Sequence, residues 1–87
     1  MGRKAEAERL TVNASSPFHI FYVGQASSIS AINSVGPFDI LPGHAGFFSV
    51  LKAGEVIIDT GTELVNFTLA NGIISVRDNQ VELFGNI

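Results

Sequence analysis

Cysteine is absent from the 87 residues, which excludes disulfide staples and thiolate chemistry and leaves packing to hold so small a domain together. Histidine is scarce: His19 and His44 are too few to build a histidine metal site, and no metal or other cofactor is expected. Charged residues make up 15% of the chain, and positive charge is the scarcer kind. Arg3, Lys4 and Arg9 lie at the start; beyond them only Lys52 and Arg77 stand against Asp39, Glu55, Asp59, Glu63, Asp78 and Glu82. That is a poor surface for nucleic acid. No apolar run is long enough for a spanning helix, and MGRKAEAERL lacks the apolar core of a signal peptide, so a cytosolic chain without membrane insertion is expected.

What the sequence does hold is apolar surface. Hydrophobic residues are 46% of the chain, too many for disorder and more than one small core hides easily, so part of that surface is expected to be an interface. Residues 1–9 read as a flexible charged arm and residues 10–87 as one β-sandwich domain, monomeric on its own. From Leu10 the hydrophobic period is two, and short strand candidates follow one another with turn signals between them. RLTVN places Leu10 and Val12 on one face, and FHIFYV alternates until Gly24 ends it. ASSISAI is small and polar, with Ile29 and Ala31 together. EVIID and ELVNFTLA form a hairpin across TGT. Asn71 and Gly72 suit the positive φ of a tight turn into IISVR, and DNQ turns the chain into VELFGNI, so the last three runs read as an antiparallel meander. With no helical period of useful length, the fold class is all-β: a small two-sheet antiparallel sandwich or flattened barrel.

The segment GPFDILPGHAGFFSVLKAGEV mixes residues that stiffen the backbone with residues that free it. Pro37 and Pro42 fix φ, whereas Gly36, Gly43 and Gly46 accept positive φ, so the segment is built to hold one shape. His44 lies on it without the nucleophile and orienting group that general-base chemistry requires, and its expected role is a hydrogen bond within its own loop or contact with a partner. GHAG lacks the Lys-Ser/Thr ending and the following helix of a phosphate loop. No catalytic set of Ser, His and acidic residues converges, so no enzyme activity is expected. Phe47 and Phe48 are neighbours in a strand and must point to opposite faces; one can be core, while the other is to be covered by a second sheet, a loop, the arm or another chain.

Read as a whole, the same segment resembles the N-terminal β-sandwich domain of the epsilon subunit of F-type ATP synthases. In that family a Gly-rich turn and short strand precede a Pro-Gly-His-Ala segment, an apolar strand and a Lys-x-Gly turn. Here these are Gly36 to Leu41, then Pro42, Gly43, His44 and Ala45, then Phe47 to Leu51, then Lys52, Ala53 and Gly54. LTV, YVG with SSISAINSVG, and LANGIISVRDNQVELF extend the likeness from Leu10 to Phe84, although Pro37, Phe38 and Asp39 stand where many members carry an acidic residue and a glycine. The resemblance implies a non-catalytic central-stalk domain that couples proton transport to ATP synthesis. One sandwich face would dock on a gamma-like subunit, and loops at one end would meet the polar loops of the membrane ring. Its place would be peripheral to the inner face of the cell membrane. The candidate partner contacts are Phe38, Asp39, Pro42, Gly43, His44 and Phe48. Family members usually continue into a C-terminal helical pair linked to ATP binding; with this sequence ending at Ile87, no ATP site is expected. The competing expectation is an adaptor module that reuses the same fold.

Overall fold

The computed structural model describes residues 8–87, so the expected arm lies outside the described residues up to residue 7. Arg9, at its end, donates from its guanidinium to the Thr60 carbonyl. Nine strands follow: β1 (Leu10–Ser15), β2 (Ile20–Ala26), β3 (Ser28–Asn33), β4 (Gly36–Ile40), β5 (Phe47–Leu51), β6 (Gly54–Asp59), β7 (Leu64–Leu69), β8 (Asn71–Arg77) and β9 (Gln80–Asn86). They form a five-stranded sheet in the order β2-β1-β9-β8-β5 and a four-stranded sheet in the order β4-β3-β6-β7. The all-β, two-sheet architecture is the expected one. One pairing in it is parallel, that of β1 with β9, in register from Thr11↔Gln80 to Ser15↔Phe84. Parallel neighbours need a long connection, and here most of the chain supplies it.

Period-two alternation builds the core. In β1, Leu10, Val12 and Ala14 are buried while Thr11 and Asn13 face outward; β9 buries Val81 and Leu83, and β8 buries Ile74 and Val76. Ile29, Ala31, Ile40, Val56 and Ile58 of the other sheet join the same cluster. Each fully buried aliphatic side chain contributes roughly 1.5–3 kcal/mol. Among the described residues no polar or charged residue is buried.

Three expectations are corrected. Strand β2 does not end at Gly24 but runs through it to Ala26: Gly24 pairs with Val12, the Tyr22 ring lies along the space that a side chain would fill, and the Tyr22 hydroxyl donates to the Gln25 carbonyl. The last three runs are not a meander. Strand β7 pairs only with β6, and the chain changes sheet between Leu69 and Asn71. Asn71 and Gly72 are not a tight turn either; both lie within β8 and neither has positive φ. Gly72 is opposite Gly85, and the Leu69 side chain packs onto this pair where the chain crosses over. A Cβ on Gly85 would sit 2.7 Å from Leu69 Cδ1, and one on Gly72 would sit 2.8 Å from the Phe84 carbonyl oxygen. These glycines serve close approach rather than positive φ. The expected β6–β7 hairpin is present, as is the turn at DNQ, where Asp78 (φ 51°) and Asn79 (φ 63°) make the two-residue, type I′ connection.

Candidate functional site

Residues 41–46 carry the chain from β4 in one sheet to β5 in the other, at the end where the β8–β9 turn also lies. Leu41, Pro42, Gly43 and His44 form a β-turn closed by the His44 N–H, which donates to the Leu41 carbonyl at 3.1 Å. Proline supplies the fixed φ of the first central position, and Gly43, at φ 85°, supplies the positive φ of the second, which makes the turn type II. The Gly43 N–H is taken up by Asn79 Oδ1 at 2.8 Å, so the loop is tied to the β8–β9 turn. His44 Nδ1 lies 2.8 Å from the Ala45 carbonyl oxygen. That oxygen can only accept, so Nδ1 carries the proton and Nε2 presents a lone pair in the neutral ring. Beneath the loop the imidazole meets Phe47 edge-on at 5.4 Å, and Phe47 meets Phe38 at 5.5 Å with a 57° tilt. Phe38, Phe47 and His44 are all half-buried.

The six candidate contacts therefore do not form one patch. Phe38, Pro42, Gly43 and His44 gather at the loop end. Asp39 points outward from β4 beside them, where its carboxylate accepts from Ser30 Oγ at 2.6 Å. Phe48 lies on the outer face of the five-stranded sheet, opposite Ser75, and no described residue covers it. Phe48 is joined there by a cross-strand row that sequence inspection did not assemble: Val50 opposite Ile73, Ile73 opposite Phe84, and Phe84 opposite Ser15 beside Ile20. Phe48 is 65% exposed, Val50 60%, Phe84 48% and Ile73 42%. A shallow groove runs between Val50, Ile73 and Phe84. Each of these is an apolar residue in the polar register of an alternating strand, which was the available signal; joining them requires the strand order. Asn79 was missed because its partner is 36 positions away. Among the described residues no three His, Asp or Glu side chains converge as metal ligands would, and no helix is long and apolar enough to cross a membrane.

Comparison with known proteins gives a concordant result. The family described as the ATP synthase delta/epsilon chain beta-sandwich domain matches residues 9–86. The chain is 38% identical over 77 residues to the ATP synthase epsilon chain of Leptospira borgpetersenii, covering 88% of this chain and 61% of that one. It is 33% identical over 75 residues to the ATP synthase epsilon chain of Geobacter sulfurreducens, covering 86% and 54%. It thus spans a little over half of the length of these curated relatives. Among solved structures, the fold is shared with a chain of the Tetrahymena thermophila mitochondrial ATP synthase central stalk and c-ring (TM-score 0.80, 20% identity, 95% of this chain and 67% of that one). It is shared also with a chain of the Euglena gracilis mitochondrial ATP synthase (TM-score 0.82, 15% identity, 97% and 54%).

Proposed function

The chain belongs to the ATP synthase delta/epsilon chain β-sandwich family, and from that premise we propose that it is a non-catalytic docking domain of the rotor's central stalk. One face packs on a gamma-like subunit, and the loop end meets the polar loops of the membrane ring. In this role the domain transmits torque as a rigid body and performs no bond chemistry. It lies peripheral to the membrane, on the face where the stalk emerges. The observation that carries the reading is the pair of surfaces just described: a loop held in one shape at one end, and an exposed apolar row across the five-stranded sheet. Two separate surfaces suit a body held between two partners, and an exposed apolar row of this extent is what docking covers. A tagged form of the 87-residue chain, mixed with the gamma and ring subunits of its own source, is expected to retain both. Retention of neither would overturn the proposal.

A further inference from the structure

The Gly43 N–H makes the one hydrogen bond by which the 41–46 loop reaches a distant side chain among the described residues, and its acceptor, Asn79, was expected only to turn the chain from β8 into β9. Asn79 is itself tightly held. It is half-buried, it occupies the second central position of the type I′ turn at φ 63°, and its carbonyl accepts the Thr11 N–H at 2.7 Å. Its amide side chain is thereby aimed from a rigid base. We propose that Asn79 is a positioning residue for the loop: by accepting from the Gly43 N–H it selects the orientation of the Pro42–Gly43 peptide and so the way His44 is presented. The selection has a simple geometric basis. Type I and type II turns differ by a flip of the peptide between their two central residues, which carries the second residue's N–H to the opposite side. An acceptor fixed on one side holds the type II form, and glycine at position 43 is free to follow it into either. The inference rests on the docking role only for what the loop meets; the clamp itself is a property of the isolated chain.

Asn79→Gly separates clamp from turn, because Asp-Gly is among the preferred pairs for a type I′ hairpin and the turn keeps its shape without the acceptor. Asn79→Asp keeps both an acceptor oxygen and tolerance of positive φ. Amide exchange of the 87-residue chain, followed by NMR, is the measurement. The Gly43 amide is expected to exchange about tenfold faster in Asn79→Gly, the factor implied by one hydrogen bond of ordinary net strength. In Asn79→Asp it is expected to stay near the unsubstituted rate, with the Val76 and Val81 ladder amides unchanged in both variants. An unchanged Gly43 rate in Asn79→Gly, no retention by aspartate, or acceleration of the ladder together with Gly43 would each overturn the proposal. No partner enters the measurement, so failure of the docking role would leave its outcome intact.

Discussion

Position 43 shows how one residue's backbone sets a surface. Its φ of 85° lies in the left-handed region, where a Cβ costs roughly 1–2 kcal/mol. There is room for the methyl itself: the nearest atom to an added Cβ is Glu8 Oε1, at 3.6 Å. The cost of Gly43→Ala is therefore conformational, and chemical denaturation is expected to show a loss of about 1 kcal/mol. A neutral result would mean that the turn adopts negative φ. His44→Ala removes one exposed-side hydrogen bond and one aromatic edge contact, so its effect on stability is expected to be smaller, with retention of the ring subunits reduced. Equal retention by the substituted chain would exclude the imidazole as a contact. The positive φ at Gly43 was legible in the sequence because Pro-Gly pairs carry that turn chemistry locally. The aromatic cluster of His44, Phe47 and Phe38 was not, since it depends on β4 and β5 belonging to different sheets.

At the scale of elements, what was legible followed from local rules and what was missed followed from pairing. Alternation located nearly every strand, and DNQ marked a true hairpin. Asn71-Gly72 carried the same kind of signal and misled, because a dipeptide cannot show whether the chain stays in its sheet. Here it leaves: Ala70 alone separates β7 from β8, so Leu69 is pressed over the Gly72–Gly85 pair. Both glycines are tests of that crossover. Gly72→Ala would set a methyl 2.8 Å from a backbone carbonyl that a ladder holds in place, and Gly85→Ala would press on the Leu69 methyls at 2.7 and 2.8 Å. Overpacking of this kind costs about 1–3 kcal/mol. Denaturation midpoints are expected to fall in both variants, with Gly72→Ala the worse because a carbonyl in a ladder yields less than a leucine rotamer. If Gly72→Ala were as stable as the unsubstituted chain, the close crossover would be wrong.

For the whole molecule, the question is whether the outward apolar row is spent on the core or on a partner, and stability and docking answer it separately. A core row would be buried, and truncating it would cost several kcal/mol. Val50 and Phe84 are instead about half or more exposed, and their inward neighbours Leu51 and Leu83 carry the packing. Threonine at both positions keeps strand propensity and removes most of the apolar surface. The double variant Val50→Thr, Phe84→Thr is expected to lose about 1–2 kcal/mol in all, most of it from the half-buried Phe84 ring and less than truncation of a core row would cost. Its retention of the gamma-like subunit is expected to fall by an order of magnitude or more, as when the centre of an interface is truncated. Retention of the ring subunits should persist in that variant, because the loop end and its Asn79 clamp do not touch the row. His44→Ala should show the opposite selectivity. A double variant that still binds the gamma-like subunit with full strength would move that contact to another surface, the outer side of the four-stranded sheet being the next to test. A loss of both partners together would mean that the two surfaces act as one.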